Sequence, residues 1–574
     1  MRALASRVRP RGRAPIPQVE PADADALSPS APNRGWKQLG LLLLCGAWVV
    51  LGLFGRDPWK TEDAIAFGIA NEMLAAGNWL VPTVAAEPLL EQPPLVPWLA
   101  AAGIAAFSPT LTTPDASRMG VGLFLLLLLG LTGLAADRLG GKALRWMPVL
   151  VVVGSVGLFD RSHQLSPELG LAVAVALALY AVCLGPSLWL AAGALLGLAV
   201  GMGFLSTGGL GLAWTLGPAL LLPLAAASWR TPRYAWLLVV AVLIAAPLVV
   251  AWPWLLHQRS PELFAAWWRA DSLLAALPLV AGNGAPHPEW LLRNLVWVAW
   301  PAVPLIVWTL WIRGRGFNGG MSDAAVLVPG VFAAWMLLWL LISPQPRLMQ
   351  FLPLMAPLAI LAAVEIDSMK RGQSAALDWF GILTFGMIAI ALWAFWIDAY
   401  INGMSARVAV LLRDATAGYG TSFSLRAMLA ALCLTILWVV LVRPARRSNR
   451  RAVLNWAAGI TLIWGLSATI WMPYLNSRRT YDTLGQALSV HRAAPPSCIA
   501  RRDLGDAQRA LFYHFGGVVT VDERAPEAAV CDQLLVQYGR TSGAVPAEPG
   551  FALQWQGARR GDATERYALF RRAP

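Results

Sequence analysis

Three acidic residues stand apart in this sequence because they lie in or beside strongly apolar segments. Glu62 and Asp63 open the stretch KTEDAIAFGIANEML, and Glu91 precedes two prolines in LLEQPPLVPW. A carboxylate in such surroundings costs free energy unless it lies at a wet surface or has a function. Carboxylates can take a proton from an attacking hydroxyl group or hold a metal ion. We therefore take these three residues as candidate catalytic groups.

A structural explanation exists for part of this pattern. Acids in the first turn of a helix stabilise it by about 0.3–1 kcal/mol each, and Ile65, Ile69 and Met73 recur at helical spacing after Glu62. Helix-end electrostatics accounts for either Glu62 or Asp63 but not for Glu91. The chain between them has room for a helix, a turn and a return along a membrane surface.

The composition indicates that most of the protein is surrounded by lipid. Of its 574 residues, 57% are hydrophobic and 13% are charged, against about 25% charged in soluble domains. Apolar runs long enough for spanning helices recur along the chain, and 29 tryptophans suit the two membrane interfaces. The thirteen predicted spans are 39–54, 117–136, 146–160, 167–185, 187–206, 209–227, 234–255, 290–312, 324–342, 350–366, 376–398, 425–442 and 452–473.

Basic residues predict the orientation of these spans. The apolar segment 95–108 is short and flanked by prolines, so we assign it to an interfacial helix. With a cytoplasmic N-terminus, the basic clusters near residues 138–145, 230–233, 313–315, 370–371 and 443–451 then all lie in the cytoplasm, as the positive-inside rule requires. Position 447 is accordingly predicted to be cytoplasmic and position 491 external.

The chain divides into three parts on these grounds. Residues 1–38 are polar and arginine-rich and predict a disordered cytoplasmic tail. Residues 39–473 form the membrane domain, with 55–116 as its first periplasmic loop, and 474–574 alternate short apolar runs with helical stretches, which predicts a periplasmic α/β domain. The net charge of +13 fits orientation and attraction to anionic lipid or phosphate. It is scattered over loops and forms no stripe, which argues against nucleic acid.

The cysteines separate by predicted compartment. Cys45, Cys183 and Cys433 lie in predicted spans, whereas Cys498 and Cys531 lie in the external domain. An oxidising compartment allows the external pair to form a disulfide, although two free thiols remain open at this stage. The five histidines show no metal-ligand spacing.

The segment TEDAIAFGIANEMLAAGNWLVPTV…LLEQPPLVPW resembles the opening of the bacterial aminoarabinose and mannosyl transferase family. These are polytopic GT-C glycosyltransferases that use polyprenyl-phosphate sugars. The matching features are the acidic pair Glu62-Asp63, the triplet at 72–74, the 77–82 segment and the run 90–95. Weaker similarity follows in HQLSPELGL, with Glu168 at the acidic position, in GFLSTGGLG, and in SPQPRLMQFLPLMAPLAILAA, with Arg347 at a basic position.

The resemblance implies a GT-C-type fold whose active site on the outer face is lined by Glu62 and Glu91, with Asp63 beside them. Four positions depart from the family pattern, which has lysine, lysine, tyrosine and tyrosine at residues that are here Gln92, Thr207, Ala66 and Gln350. The family uses such positions to hold the donor phosphate.

The expected function is therefore transfer of a sugar from a polyprenyl-phosphate donor to a lipid, glycan or protein acceptor in the bacterial inner membrane. Glu62 or Asp63 would act as base, and Glu91 would position the acceptor. A divalent ion, if present, would be held by Glu91 or Glu62. Arg347 is the first candidate to face the phosphate, followed by Arg56 and Arg259. Glu168 is a further candidate for binding the substrate.

Two other functions remain open. A transporter or flippase of lipid-linked sugars would place charged residues deep in the spans or use broken helices. A catalytically silent homologue acting as an assembly partner would fit the four departures. A transfer assay distinguishes the enzyme from the silent homologue, and a liposome flipping assay identifies the transporter.

Overall fold

The fold described here is that of a computed structural model. It describes residues 34–271, 288–343, 346–411, 423–443, 448–492, 498–539, 545, 547–559 and 565–573. Most of the predicted tail 1–38 and position 447 lie outside these residues.

Helices make up the greater part of the described chain. Seven of them are long and apolar enough to cross a membrane, or up to nine if each of two sharply bent pairs counts as one span. In chain order the helices are Arg34–Val50, Glu62–Ala76, Leu95–Phe107, Thr113–Ser117, Met119–Gly140, Trp146–Val153, Pro167–Leu184, Trp189–Ala225, Pro232–Arg259, Pro261–Asp271, Pro288–Val298, Ala302–Gly314, Ala324–Ile342, Phe351–Ala363, Arg371–Asn402, Ala406–Leu411, Leu425–Val442, Asn449–Ala468, Met472–Arg479, Asp482–His491 and Asp506–Gly516.

The longest element, Trp189–Ala225, folds back on itself. Its backbone leaves helical geometry at Thr207 and Gly208, and Gly208 has a φ of 59°. A Cβ atom at Gly211 would lie 1.9 Å from the carbonyl oxygen of Gly203, whereas residues eight apart in a straight helix are about 12 Å apart. The chain therefore reverses here, between the segments predicted as two spans, 187–206 and 209–227.

The predicted count of thirteen spans is not confirmed. The segment predicted at 146–160 is helical only from Trp146 to Val153, which is too short to cross a bilayer. The segment predicted at 290–312 is two helices that meet at 102°. Leu95–Phe107 is a helix of 13 residues, which suits the interfacial position assigned to it because about 20 residues are needed to span.

One end of the helical bundle carries the first loop and the C-terminal domain, and we call it the loop face. Trp252 donates from Nε1 to the Leu80 carbonyl at 3.0 Å, and Asn476 donates from Nδ2 to Asp57 at 2.9 Å. At the opposite end, Arg313 pairs with Glu365 at 2.6 Å and Arg450 pairs with Asp367 at 2.5 Å. The basic residues of that end are among those predicted to be cytoplasmic.

We expect the loop face to be external. Cysteine introduced at position 491 should react with a membrane-impermeant maleimide on intact cells, whereas cysteine at position 447 should react only after the inner membrane is permeabilised. The positive-inside distribution of the basic residues is the physical reason. The background variant lacks Cys433, which is exposed on its helix. Reaction at position 447 but not at position 491 in intact cells would show that the topology is the reverse of the predicted one.

The C-terminal domain contains a five-stranded mixed sheet in the order β4-β3-β5-β7-β6. Its strands are β3 (Ile499–Arg502), β4 (Val521–Asp522), β5 (Gln533–Gly539), β6 (Phe551–Ala558) and β7 (Glu565–Arg572), while β1 (Thr83–Val84) and β2 (Glu87–Pro88) form a hairpin in the first loop. β3 runs parallel to β4 and β5, and β7 runs antiparallel to β5 and β6.

The first loop and the C-terminal domain share one hydrophobic core. Ile65, Ile69 and Met73 of the first-loop helix pack in the same buried cluster as Leu511 and Phe512. A Cβ atom at Gly68 would lie 2.8 Å from that of Ala510, so glycine permits the close approach of the two helices. The apolar periodicity of the first-loop helix is therefore directed at the C-terminal domain.

Cys498 and Cys531 form a disulfide that closes a separation of 33 residues. A loop of this length corresponds to about 3–4 kcal/mol of stabilisation in the chain-entropy model. Thiol titration of unfolded, unreduced protein should find three free cysteines, namely Cys45, Cys183 and Cys433. Five titrated thiols would show that the bond does not form in the cell.

Candidate active site

Asp63 is buried at the centre of a polar network under the first loop. Its Oδ2 atom accepts hydrogen bonds from Arg56 Nη1 at 2.9 Å, from Arg118 Nη2 at 3.1 Å and from the Trp59 backbone N–H at 3.1 Å. Its Oδ1 atom accepts from the Leu165 backbone N–H at 2.9 Å. The carboxylate thus joins three separate chain segments.

The network keeps Asp63 ionised. Burial by itself would raise the pKa of Asp63, but the charges of Arg118 and Arg56 and the Leu165 N–H lower that pKa to about 2. A carboxylate with so low a pKa is a weak base. The geometry therefore favours a structural role for Asp63 over the role of base that the sequence suggested.

Arg56 faces this network and not the membrane surface. Besides Asp63, it donates from Nε to the Gly52 carbonyl at 3.2 Å and from Nη2 to the His163 carbonyl at 2.7 Å. Its side chain is 1% exposed, so it is placed to hold Asp63 and not a phosphate group.

Arg118 was not among the residues predicted from the sequence, although its side chain also contacts Asp63. It precedes the helix Met119–Gly140 and donates to the backbone carbonyls of Arg56 and Asp57 at 2.8 and 2.7 Å. An arginine at the outer end of a predicted span runs against the positive-inside distribution. That exception was the available signal.

His163 makes the stability of this region sensitive to pH. Its ring is fully buried, with Nε2 at 2.8 Å from the Trp48 carbonyl, and burial lowers its pKa from 6.5 to about 4. The folded state therefore binds fewer protons than the unfolded state between these values, and its stability falls as the pH falls through that window. The expected loss between pH 7.5 and pH 5 is about 2 kcal/mol.

The measurement is thermal unfolding of purified protein at both pH values. The fall in melting temperature should shrink in His163→Gln and persist in His257→Gln, because His257 is exposed. An equal pH dependence in wild type and His163→Gln would assign the effect to other groups.

Glu62 lies on the accessible side of the same helix start. Its side chain is 13% exposed, and Arg347 Nη1 lies 3.3 Å from Oε1. Gln92 Nε2 donates to Oε2 at 3.1 Å. Arg347 is itself 62% exposed, so its remaining donors can reach a ligand at the membrane surface.

Glu168 belongs to the same charged group. It lies in the first turn of the helix Pro167–Leu184 and is 4% exposed. Glu62 and Arg347 are within electrostatic range of it. Its Oε2 atom has no hydrogen-bond partner among the described residues, which is costly for a buried polar atom and typical of a binding site.

Two other residues predicted from the sequence lie at the periphery. Glu91 is exposed, whereas the next residue, Gln92, is buried and makes the contact with Glu62. Arg259 is exposed at the end of the helix Pro232–Arg259. The structure therefore brings together Glu62, Glu168 and Arg347, with Gln92 as an additional contact.

The sequence predicted that Glu91 or Glu62 would hold a divalent ion, if one is present. Within the described part of the chain, no group of three or more His, Cys, Asp or Glu side chains is placed to hold one. Glu62 is already engaged by Arg347 and Gln92, and Glu91 stands apart. No step of the mechanism below passes through a metal.

An apolar groove of about 540 Å³ lies along the chain reversal at Thr207 and Gly208. It is lined by Phe204, Gly209, Leu212, Val249, Val250, Pro253, Trp254, His257, Phe264, Trp267 and Trp268. Phe204 and Gly209 flank the chain reversal, and Ser206 between them would lie 2.5 Å from a Cβ atom on Gly170. Gly170 is two residues from Glu168, so the chain reversal that borders the groove packs against the helix that carries Glu168.

The fold defines a class of multi-pass membrane proteins. Two crystal structures of ArnT from Cupriavidus metallidurans, one in the apo state and one bound to undecaprenyl phosphate, superpose with a TM-score of 0.65. Each comparison covers 94% of this chain and 98% of the other, at 17% and 18% sequence identity. The GT-C-type membrane fold expected from the resemblance is therefore confirmed, as is the C-terminal sheet domain predicted from the alternating pattern near the end of the chain.

Sequence comparison finds similarity to curated bacterial transferases. The chain is 29% identical over 373 residues to undecaprenyl phosphate-alpha-4-amino-4-deoxy-L-arabinose arabinosyl transferase 2 of Pseudomonas fluorescens strain Pf0-1. It is 28% identical over 378 residues to the corresponding transferase of Pseudomonas aeruginosa strain UCBPP-PA14. These matches span 60–61% of this chain and 63–64% of the relatives. No family model matches the chain.

Proposed function

We propose that this protein is a glycosyltransferase that moves a sugar from a polyprenyl phosphate to an acceptor at the periplasmic face of the bacterial inner membrane. The observation that carries the proposal is the group formed by Glu62, Glu168 and Arg347, together with an apolar groove along the chain reversal that packs against the helix of Glu168. Such a site suits a substrate with a long apolar chain and an anionic, sugar-bearing head. The similarity to undecaprenyl-phosphate-dependent transferases supports the same class of donor.

The proposed reaction is a displacement at the anomeric carbon. The acceptor oxygen forms a bond to this carbon as the bond to the phosphate oxygen breaks, and the bonding electrons leave with the phosphate. Glu62 takes the acceptor proton, because its side chain is partly exposed and can reach an acceptor bound beside Arg347. Its one arginine contact, at 3.3 Å to the exposed Arg347, is longer and more solvated than the two buried arginine contacts of Asp63. Arg347 stabilises the charge of the departing phosphate.

Glu168 and Glu91 have different roles in this proposal. The unpartnered Oε2 atom of Glu168 accepts a hydrogen bond from the sugar, and burial excludes water from that contact. Exposed Glu91 contacts the acceptor at the mouth of the site. Asp63 and Arg56 maintain the position of the first-loop helix, and Arg259 meets lipid headgroups beside the groove.

The donor sugar is proposed to be a pentose, 4-amino-4-deoxy-L-arabinose, because that name recurs among the similar curated proteins. Lipid A is the first acceptor to test, followed by other glycolipids, glycans and protein hydroxyls. A hexosyl donor is the alternative outcome for the sugar.

The test is transfer in proteoliposomes containing purified protein, undecaprenyl phosphate-α-4-amino-4-deoxy-L-arabinose and lipid A. Mass spectrometry should detect glycosylated lipid A and free undecaprenyl phosphate in equal amounts. Movement of intact donor across the bilayer without transfer would identify a flippase. Neither transfer nor flipping, with any donor of a matched panel, would favour the silent homologue suggested by Gln92 and Thr207.

A further inference from the structure

We infer that the C-terminal domain positions the segment 89–92 through Glu87. Arg501 and Arg509 of that domain form ion pairs with Glu87. This inference rests on the proposed function, since it concerns how Gln92 and Glu91 are placed relative to Glu62. The residues involved lie outside the group of Glu62, Glu168 and Arg347.

The contact is built from charge-assisted hydrogen bonds between two buried arginines and Glu87, whose side chain is 36% exposed. Arg501 of β3 pairs with Glu87 through two parallel bonds, from Nη1 to Oε1 at 2.6 Å and from Nη2 to Oε2 at 2.7 Å. Arg509 adds a third contact, from Nη2 to Oε2 at 2.8 Å. The arginine side chains are 9% and 5% exposed. Paired, planar bonds of this kind fix orientation as well as distance.

Both arginines are also held within their own domain. Arg501 donates from Nη1 to the Thr520 carbonyl at 2.9 Å, and Arg509 donates from Nη1 to Asp506 at 2.7 Å. Contacts within the domain therefore hold both guanidinium groups independently of Glu87. A rigid partner transmits its position to the loop more effectively than a long side chain that is free to rotate.

The hairpin that carries Glu87 is held on its other side by the first-loop helix. Glu72 of that helix accepts hydrogen bonds from the backbone N–H groups of Ala85 and Ala86. Both alanines have positive φ angles, 49° and 67°, which cost free energy for residues with a Cβ and need such support. Arg509 Nη2 also donates to the Val84 carbonyl at 2.8 Å.

The fixed hairpin leads directly into the site. The Leu89 N–H donates to the Pro82 carbonyl at 2.8 Å, which extends the ordered segment by one residue. Gln92, three residues further, contacts Glu62, and buried Pro93 and Pro94 immediately precede the next helix, Leu95–Phe107. Of the four residues between Glu87 and Gln92, Pro88 is paired in the hairpin and Leu89 is held by its hydrogen bond, so we expect a shift of Glu87 to displace the contact with Glu62.

The test uses Glu87→Gln and Arg501→Lys in the full-length protein, assayed for transfer and for thermal unfolding. We expect kcat to fall about 10- to 100-fold, as for displacement of a catalytic group by about 1 Å. The donor KM should change less than about threefold, because Arg347 and the groove are untouched. Arg501→Lys should retain more activity than Arg501→Ala, because lysine keeps one charged contact with Glu87.

Arg502→Ala is the matched control. Arg502 lies on the same strand and makes two ion pairs at 2.6 Å, with Glu523 and Glu548, both inside the domain. This variant should lower the melting temperature at least as much as Arg501→Lys, yet keep kcat within about twofold of wild type. A parallel loss of kcat in Arg502→Ala would make the contact merely structural and overturn the inference.

The inference and the proposed function fail in different ways. Active wild-type protein with unchanged kcat in folded Glu87→Gln and Arg501→Lys rejects the positioning role alone. If Glu87→Gln does not fold, Arg501→Lys decides by the same criterion. Wild-type protein without transfer to any acceptor refutes the proposed function. Hydrogen exchange at 89–92 then decides the inference: it should accelerate in Arg501→Lys but not in Arg502→Ala, and equal protection would reject it.

Discussion

Glu62→Gln should lower the rate of sugar transfer by roughly 10²–10⁴ while leaving the protein folded, which is the range expected for loss of a general base. Glutamine keeps the shape of the side chain, and its amide oxygen can still accept the hydrogen bond from Gln92. It cannot take a proton from the acceptor. Glu62→Asp, which keeps the charge on a shorter side chain, should fall between wild type and Glu62→Gln.

Glu91→Gln is the matched control for Glu62→Gln, because it removes a second carboxylate that is not proposed to act as the base. Glu91 is exposed, so its loss should raise the acceptor KM by about 2- to 10-fold, the value of one hydrogen bond, with kcat little changed. The measurement is initial rate against acceptor concentration, with melting temperature recorded for each variant. Transfer by folded Glu62→Gln at more than a third of the wild-type rate would remove Glu62 from the chemistry. A larger loss of kcat in Glu91→Gln than in Glu62→Gln would assign the role of base to Glu91 instead.

Asp63→Asn should destabilise the protein by about 3–5 kcal/mol, the cost of removing one partner from a buried ion pair. In either orientation the new amide nitrogen would face N–H donors, either that of Leu165 or those of Arg56, Arg118 and the Trp59 backbone. Arg56 would lose its ion pair, and Arg118 would keep only the longer contact with Asp115, at 3.5 Å. The first-loop helix, and with it Glu62, would lose its attachment to the segment that contains Leu165.

Thermal unfolding and the yield of monodisperse protein in detergent measure this effect. Asp137→Asn is the control, because the Arg145–Asp137 pair is shorter, at 2.7 Å, but its side chains are 41% and 20% exposed. An exposed pair contributes about 0–1 kcal/mol. Normal melting of Asp63→Asn combined with lost transfer would instead place Asp63 in the chemistry.

The sequence by itself determined the membrane class and the presence of a C-terminal sheet domain, and it identified the first loop as the place of the candidate acids. Lipid solvation requires long apolar helices, and a run of apolar residues can be recognised locally, as in Ala324–Ile342, predicted at 324–342. The motif around Glu62 and Glu91 could also be recognised, because it is defined by the order and spacing of residues along the sequence.

Only the tertiary structure decided where each acid lies and which groups it contacts. Glu62 and Asp63 are adjacent in the sequence, yet a helix turns neighbouring side chains by about 100°. One therefore enters a buried network with Arg118, and the other meets Arg347 across 285 residues of chain. Burial and long-range pairing have no signature in local spacing, so the two roles could not be separated beforehand.

The same reason explains Gln92 and Glu87. Proline geometry and the fixed hairpin direct Gln92, and not Glu91, toward Glu62. Glu87 looks like an ordinary loop residue until Arg501 and Arg509, more than 400 residues away, come to lie against it. The sequence specifies which groups are available, whereas the packing of the C-terminal domain on the first loop decides which of them meet, because that contact depends on the whole chain.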